Sequence, residues 1–451
     1  MSGFLVIACG LCLSLLSLSV RVAPPPVGEL DPISKSRVSD GIKNTTSVDE
    51  KLSDVDLMQL YRTAHRQSPI YGHQPPEIPL AIQVLLFDNQ HRPITFRPGP
   101  TWAIGDEVLH ICIDGFRRSP YFHVLPPVVV PDMDPNFTLP VIHENVVWIA
   151  DMRRTVFGAK YTIGKQLAYM YEQQRKAQPD LQLSSIVLMD FRDRVPERTL
   201  CTKGARQLLK ALGPGRVRSV LQQVVLDRKW DPQRNFVDMG TIRDPRSDAV
   251  CFGAPTLHVP YTVRSDYFEA IAERTSGLLT EGNPPDTVRP IDVAHFWSIG
   301  TQEHAELRNA VTRVVQSFNS TNSVQAGYVS VASKEGRFAV SEAYVSALLS
   351  TKIVVTAQRD SWEDHFRLME AMAGGALVFT DPMHSLPELL VHGESIIVYN
   401  SLDELRQLIR YYLEHEEERL AIARAGWAIA TNHHRSYHWM ERIFFGESKR
   451  S

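Results

Sequence analysis

Apolar and polar positions divide the chain into an apolar run, a polar stretch and a long body of alternating elements. Residues 4–20 form one uncharged apolar run, and residues 21–75 are polar and contain several turn-forming residues. The folded body begins near residues 78–88. Short apolar runs at 108–113, 145–150 and 185–191 then predict buried strands, with helix-period segments at about 158–174 and 206–212. Strands that alternate with helices predict a parallel α/β sheet.

The second half repeats this alternation more regularly. A loop-like segment with an Asn-Pro-Pro turn, residues 280–290, separates the halves. We therefore predict domains at 76–283 and 284–451. Strands are predicted at 291–297, 353–356, 376–380 and 396–399, and helices at 302–318, 364–373, 387–391 and 402–413, before a long helical C-terminus. Ser401 and Glu404 form the S-x-x-E pattern of a helix start. Two doubly wound domains in tandem are the expected architecture.

The apolar run predicts entry into the secretory pathway. It is short for a membrane-spanning helix of about 20 residues and long for a signal-peptide core of about 7–15 residues. Residues 1–23 are accordingly a signal anchor or a signal peptide, and residues 24–75 a stem. No Lys or Arg precedes the run, and Ser17 and Ser19 offer a cleavage site. We expect a single-pass type II protein of the Golgi or endoplasmic reticulum, or a cleaved form that is lumenal or secreted.

Composition adds few constraints beyond these. A length of 451 residues suffices for two domains, and a net charge of −3 with interspersed signs offers no basic field for a nucleic acid. Three glycosylation triplets, at Asn44, Asn136 and Asn319, agree with a lumenal location.

The segment after the predicted strand at 353–356 is the candidate binding site. In an open parallel sheet, ligands bind beyond the carboxyl ends of the strands. This rule places a polar group at one edge: Arg359, Asp360, Ser361 and, after the next strand, Asp381. In the following helix, Arg367 offers a planar cation for phosphate oxygens, and Glu370 can accept hydrogen bonds from a diol. The competing interpretation is an ordinary ion pair on a solvated helix, worth about 0.2–0.5 kcal/mol.

The sequence motifs of this half resemble a known family. The strand TKIVV, the segment HFRLMEAMAGGALVFTDP and the run PELLVHGESIIVYNSLDELRQLIRYYLEHEEERLAIARAG occur in order. Over about residues 290–445 they resemble the C-terminal domain of GT-B glycosyltransferases. The resemblance is greatest to the group-1 glycosyltransferase-like domain of spore-maturation proteins and of ribitol-xylosyltransferase-type enzymes. The R-x-x-E-A element is similar to that of exostosins.

The resemblance implies an α/β GT-B fold, with two Rossmann-like domains facing a cleft. It implies an enzyme that moves a sugar from a nucleotide-sugar donor to a glycan or glycoprotein acceptor, usually without a metal ion or other cofactor. Arg367 and Glu370 would contact the diphosphate and the ribose. The preceding loop, from Arg359 to His365, would lie near the donor sugar. Gly374, which with Gly375 would close the helix and let the next strand approach, is also expected to contact the donor. The membrane is a further partner if the apolar run is retained.

Two departures from the family pattern leave alternatives open. Trp362 stands eight positions before Glu370, where family-4-type enzymes carry an acid, so the retaining mechanism is not implied. The first half carries no family motif. An inverting enzyme needs a general base there, and Asp190, at a predicted strand end, is the first candidate. A sheet-edge salt bridge is the competing role for Asp190. A non-catalytic lumenal binding or scaffold protein of the same fold is the alternative function.

The histidines carry weaker signals. His295 lies near the end of the strand predicted at 291–297, and a core or surface histidine is the favoured interpretation. His433, His434 and His438 have no acid or cysteine partner at ligand spacing, so we predict a helix with solvated polar side chains there and not a metal site.

Overall fold

The computed structural model describes parts of the chain, and every structural statement below refers to those parts. The described residues are 80–88, 115–119, 121–126, 128–131, 146–151, 169, 171–172, 175–176, 179, 185–190, 209–210, 217–221, 229–238, 256–258, 262–263, 265–275, 284–285, 287–297, 306–318, 326–327, 342–358, 366–384 and 386–445.

The described strands of the first half build one parallel sheet and a small hairpin. The strands are β1 (Leu80–Asp88), β2 (Phe122–Val124), β3 (Val128–Pro131), β4 (Val146–Asp151), β5 (Ser185–Asp190), β6 (Val217–Leu221), β7 (Lys229–Asp231), β8 (Phe236–Asp238) and β9 (Thr256–His258). The parallel sheet has the order β2-β1-β4-β5-β6-β9, with β3 also paired to β1, and β7 and β8 form an antiparallel pair. The strands predicted at 145–150 and 185–191 are thus confirmed. The strand predicted at 108–113 and most of the helices predicted at 158–174 and 206–212 lie outside the described residues.

The second half folds into a second parallel sheet with helices between the strands. Its strands are β10 (Ile291–Ala294), β11 (Ala326–Gly327), β12 (Thr351–Val355), β13 (Leu377–Thr380) and β14 (Ile397–Val398), in the order β11-β10-β12-β13-β14. The helices of this half, with α1 just before it, are α1 (Ser265–Arg274), α2 (Glu306–Ser317), α3 (Glu342–Leu349), α4 (Phe366–Ala373), α5 (Leu402–Glu414), α6 (Glu416–His433) and α7 (Ser436–Phe445). The predicted alternation of strand and helix is confirmed.

One predicted element of this half is wrong. Residues 387–391 form a turn and not a short helix. Leu389 adopts a φ of 68°, which lies in the left-handed region and cannot continue a right-handed helix.

Both faces of the second sheet are covered by helices. Ile353, Val355 and Phe379 belong to one buried cluster with residues of α2 and α5, while Val354 and Val378 belong to another with residues of α1, α3 and α4. Neighbouring strand residues point to opposite faces, so this division follows the pleat. Burial on both faces explains why these strands are continuous apolar runs in the sequence.

Helix α5 begins as its sequence predicts. The Ser401 hydroxyl accepts the Glu404 backbone N–H at 3.1 Å. The Glu404 carboxylate reaches one residue further back than in the usual capping box and accepts the Asn400 N–H at 2.6 Å. The apolar stripe predicted for this helix is buried: Leu402, Leu405, Leu408, Ile409 and Tyr412.

Helix α4 ends in a glycine turn that only glycine fits well. The Ala376 N–H donates to Ala371 O at 3.2 Å and the Gly375 N–H to Met372 O at 2.8 Å, which is the Schellman pattern. Gly375 has a φ of 76°, and a Cβ there would lie 2.9 Å from Nη2 of Arg289. A side chain at this position would therefore be strained and would collide.

The end of the chain returns to the first half. The Val263 N–H donates to His434 O at 2.9 Å, and the Ser436 N–H donates to Val263 O at 3.2 Å. Beyond this crossing, α7 places Phe444 edge-to-face against Phe116 and Phe122, at centroid distances of 5.6 and 5.3 Å. Helix α1 precedes the predicted boundary at 283/284 but packs in the core of the second sheet. The boundary itself stays a prediction.

Candidate functional site

The carboxyl ends of β10, β12 and β13 lie side by side at one edge of the second sheet. The strands are parallel, with Val293 opposite Ile353 and Ile353 opposite Leu377. The residues that follow them are His295, residues 356–358 and Asp381, and all are buried. This carboxyl edge is where an open parallel sheet binds its ligands.

Two buried polar residues tie the ends of β12 and β13 together. The Gln358 backbone N–H donates to Oδ1 of Asp381 at 2.8 Å, and its side-chain amide donates to the Thr380 hydroxyl at 3.1 Å. Gln358 and Asp381 are both 0% exposed. The amide oxygen of Gln358 has no hydrogen-bond partner among the described residues. The predicted site residue Asp381 is thus at the expected edge, where it orders the strand ends.

His295 is held neutral at the same edge. Its Nδ1–H donates to Val355 O at 2.7 Å, and the residue is only 4% exposed. Burial lowers the pKa of the His295 imidazole to about 3, and the charges of Arg308 and Arg367 act in the same direction. In the neutral ring Nε2 is an acceptor, and it has no hydrogen-bond partner within the described part of the chain. His295 is therefore a core histidine, as favoured, but one beside a pocket.

A small pocket opens between the ends of β10 and β12. It is lined by His295, Phe296, Trp297, Arg308, Arg367 and residues 354–357. The Arg308 guanidinium lies 4.7 Å from the Trp297 ring centroid, and its Nε–H donates to Ala357 O at 2.8 Å. Two arginines thus lie together at the carboxyl edge, and their positive charge favours an anion near that edge.

Helix α4 brings the two residues of the R-x-x-E-A element to this edge in different ways. Arg367, in its first turn, is half-buried and lines the pocket. Glu370, one turn further, is only 3% exposed because α3 covers it: the Tyr344 hydroxyl donates to its Oε2 at 2.8 Å. Burial, and then the Glu370 charge, raise the pKa of Tyr344 well above 10, so the phenol stays a proton donor. The solvated i,i+3 ion pair is therefore not the environment of Glu370.

The other end of α4 lies at the opposite, amino edge of the sheet. There Arg289 donates to Gly374 O at 2.6 Å and to Thr351 O at 2.7 Å. Lys352 and Asp292 form an ion pair at 2.6 Å at the same edge. The structure therefore does not bring Gly374 together with Arg367. A donor contact from Gly374 stays a prediction that its position does not support.

The remaining predicted residues are only partly described. Arg359, Asp360, Ser361 and His365 lie outside the described residues. Asp190 is the last residue of β5, at the carboxyl edge of the first sheet, as predicted from the sequence. Its catalytic role stays a prediction.

Sequence reasoning missed one residue near the site altogether. Tyr344 lies on α3, a helix for which no boundary was predicted, about 26 residues before the glutamate it contacts. Its apolar neighbours, AYVSALL, would have indicated a buried helix. No local pattern indicates that its hydroxyl meets Glu370.

The histidines near the C-terminus have structural partners. His434 is 0% exposed, so the prediction of a solvated side chain is wrong for this residue. Its Nε2 donates to Glu388 O at 2.8 Å, and its Nδ1 accepts the Trp439 indole N–H at 3.3 Å. Burial lowers the pKa of His434 to about 4. Both ring nitrogens are used inside the protein, so His434 belongs to the core.

Metal-binding groups and membrane-spanning helices are both absent from the part of the chain that the structure describes. Among the residues that the structure describes, no group of three or more His, Cys, Asp or Glu could hold a metal ion. None of the described helices has the length and apolar character that a membrane crossing needs. A metal-independent enzyme and a membrane anchor both stay predictions, and residues 1–23 lie outside the described residues.

The comparison with protein families identifies the second half. Residues 304–444 match a family model described as glycosyl transferase-like. The match spans less than half of the chain, but it includes α4 and both arginines of the pocket. The prediction of a glycosyltransferase with a group-1-like C-terminal domain is confirmed for this region. Together with the two parallel sheets, the match supports the α/β GT-B class.

The comparison with solved structures gives weaker likenesses. HepE of Anabaena, in complex with UDP and glucose, is 13% identical with a TM-score of 0.38, covering 81% of this chain and 98% of that chain. Sucrose-phosphate synthase of Thermosynechococcus elongatus is 10% identical with a TM-score of 0.38, covering 80% and 96%. WaaG, a glycosyltransferase of lipopolysaccharide biosynthesis, is 10% identical with a TM-score of 0.36, covering 81% and 99%. At such TM-scores the likeness carries no argument. A comparison with curated proteins gives no match.

Proposed function

We propose that this protein transfers a sugar from a nucleotide-sugar donor to a glycan or glycoprotein acceptor in the secretory pathway. The observation that carries the proposal is the position of Arg367. It lies in the first turn of α4, beside a pocket at the carboxyl edge, within the region that matches the glycosyl transferase-like family. A diphosphate bound there would meet two guanidinium groups, those of Arg308 and Arg367.

The proposed chemistry follows from charge development. When the bond from the sugar to the diphosphate breaks, negative charge grows on the leaving phosphate. Arg367, Arg308 and the N-terminus of α4 would stabilise that charge more in the transition state than in the bound donor. Glu370 would accept hydrogen bonds from a ribose diol. We propose that the donor site also includes Arg359, Asp360, Ser361 and His365. Asp381 would keep the ends of β12 and β13 in place beneath the donor. No metal ion takes part in this proposal.

The acceptor side belongs to the first sheet in this proposal. The two Rossmann-like domains would face each other across a cleft, and Asp190 at the end of β5 would act as general base on the acceptor hydroxyl. The anomeric outcome is left open, because Trp362 replaces the acid of family-4-type enzymes.

The proposed location rests on the apolar run at residues 4–20. It is proposed to act as a type II signal anchor in the Golgi or endoplasmic reticulum, or as a cleaved signal peptide that leaves a lumenal or secreted protein. The glycosylation triplets are compatible with either form.

The test is a donor panel with product detection. Purified full-length protein is incubated with common nucleotide-sugars and glycan acceptors, and both released nucleotide and glycosylated product are measured. We expect product with at least one donor and a loss of roughly 100-fold or more in kcat/KM for Arg367→Ala. Arg424→Ala, on an exposed surface of α6, is the matched control and should be fully active. Wild-type rates in Arg367→Ala would refute this site.

The same panel separates the alternative function. A non-catalytic binding protein of this fold would be stabilised by nucleotide-sugars but would form no product with any donor and acceptor. Thermal stabilisation alone is therefore not accepted as support for the enzyme.

A further inference from the structure

The environment of Glu370 is unusual for a charged residue, one helical turn after the pocket-lining Arg367. Glu370 is 3% exposed, and the partner of its carboxylate, Tyr344, belongs to the apolar cluster that α1, α3 and α4 share. Burying a carboxylate is costly unless hydrogen bonds compensate for the lost water. A Leu or Met at this position would pack without that cost. A buried charge one turn from a pocket-lining arginine therefore suits a functional position better than a structural one.

Tyr344 supplies a hydrogen bond that makes this burial tolerable. Its hydroxyl donates to Glu370 Oε2 at 2.8 Å, and the phenol is itself only 2% exposed. A hydrogen bond to an ionised acceptor is stronger and more directional than one between neutral groups. The elevated pKa of the phenol keeps its proton in place, so the bond persists over the physiological pH range.

The ring of Tyr344 is also fixed. It packs edge-to-face against Phe296 at a centroid distance of 5.3 Å and against Tyr267 at 5.9 Å. Phe296 is part of the pocket wall. Tyr344 thus contacts the wall of the pocket with its ring and the α4 carboxylate with its hydroxyl, while reaching neither the exposed surface nor the ligand space.

We propose that Tyr344 is a positioning residue for the donor site: its hydroxyl holds the Glu370 carboxylate in one orientation, so that the carboxylate is preorganised for the hydroxyl groups of a nucleotide-sugar. This inference rests on the proposed function and deepens it. A carboxylate with free torsions would have to be ordered by each incoming ligand, and that ordering weakens binding. Tyr344 removes this requirement before the ligand arrives.

Tyr344→Phe tests the proposal directly, because it deletes one hydroxyl and keeps the ring contacts. We expect KM for the donor to rise by about 10-fold, the effect of losing one hydrogen bond to a charged group, while KM for the acceptor is unchanged. Tyr412→Phe is the matched control. Tyr412 is equally aromatic and buried, but it packs in the cluster on the other face of the sheet, so its donor KM should equal that of the wild type.

A double-mutant cycle distinguishes positioning from mere packing. Glu370→Ala should lower kcat/KM strongly, and adding Tyr344→Phe should change it no further, because the hydroxyl acts only through the carboxylate. A purely structural tyrosine would lower the melting temperature, leave the donor KM of the folded enzyme unchanged, and add its effect to that of Glu370→Ala. Either of these last two kinetic results would overturn the inference.

Glu370→Asp approaches the same bond from its other end and covers the case in which Tyr344→Phe fails to fold. Shortening the side chain by one methylene withdraws the carboxylate from the hydroxyl, so donor KM should again rise by about 10-fold. An unchanged donor KM in Glu370→Asp contradicts the inference. By contrast, full activity of Glu370→Ala and Arg367→Ala would refute the proposed site as a whole, which is a separate result.

Discussion

The two edges of the second sheet use polar residues in opposite ways. At the amino edge, Arg289 donates to several backbone carbonyls, including Gly374 O and Thr351 O, and Lys352 pairs with Asp292. At the carboxyl edge, Nε2 of His295 and the amide oxygen of Gln358 are buried acceptors with no hydrogen-bond partner among the described residues. Hydrogen-bonded polar groups, as at the amino edge, stabilise the fold, whereas buried acceptors without a partner, as at the carboxyl edge, destabilise it. The amino edge is thus the better satisfied of the two, and the carboxyl edge is the one at which we propose the donor site.

Removing Arg289 should produce the largest loss of stability. In Arg289→Ala, two buried carbonyls lose a charged donor, and the ends of α3 and α4 lose their common contact. We expect the free energy of unfolding to fall by about 3–5 kcal/mol, as measured by urea denaturation. Activity per folded molecule should be unchanged at low temperature. If activity falls while the melting temperature stays constant, the division of roles between the two edges is wrong.

Lowering the pH should reduce the free energy of unfolding, because His434 is buried in its neutral form. Burial lowers the pKa of His434 to about 4, below its unfolded value near 6.5. A depressed pKa means that the unfolded chain binds the proton more readily. The stability contributed by neutral His434 is therefore complete above about pH 6.5 and is lost progressively down to about pH 4, by roughly 3 kcal/mol in all.

The matched variant for this prediction is His434→Gln, which has an amide in place of the imidazole and does not titrate. Denaturation of wild type and variant between pH 4 and pH 8 should give stability curves that converge as the pH falls. Parallel curves would show that His434 titrates normally in the folded protein.

Gly375→Ala should have the next largest effect, again at the amino edge. The residue adopts a φ of 76°, and a Cβ would lie 2.9 Å from the Arg289 guanidinium. We expect a loss of about 2 kcal/mol, from left-handed strain plus displacement of Arg289. Gly393→Ala is the control, since its φ is similar, 77°, but a Cβ there meets no atom within 4 Å. A thermal melt should rank the two variants, with Gly375→Ala lower.

Gln358→Met should change stability least and sharpen the contrast between the edges. The substitution removes a buried amide whose oxygen lacks a partner and retains the side-chain volume. We expect the free energy of unfolding to change by less than about 1 kcal/mol in either direction. Donor KM should rise, because the ends of β12 and β13 lose the bond to Thr380. A large loss of stability with an unchanged donor KM would show that Gln358 stabilises the fold and does not support donor binding.

Sequence patterns predicted the second half well where the burial of an element determines which of its residues are apolar. Strands β12 and β13 are apolar on both faces because helices cover both faces, and the start of α5 is encoded in Ser401 and Glu404 within one turn. The carboxyl edge was predicted from strand order alone. Arg367 was placed correctly beside a pocket by that rule.

What could not be predicted depends on contacts between distant parts of the chain. Tyr344 meets Glu370 only because α3 and α4 pack on the same face of the sheet, and no local spacing encodes that meeting. The turn at residues 387–391 looked helical by its apolar positions. It is opened by the left-handed backbone of Leu389, near the bond from His434 to Glu388 O. Burial of His434 likewise follows from packing and not from its polar neighbours.

The return of α7 to the first half has a consequence for how the protein is made. Phe444 completes an aromatic group with Phe116 and Phe122, and a Cβ on Gly115 would lie 2.6 Å from Ser436 O, so the two segments fit closely. During synthesis, the ribosome makes Phe116 and Phe122 more than three hundred residues before it makes α7. Phe116 and Phe122 therefore lack one of their packing partners until α7 has left the exit tunnel.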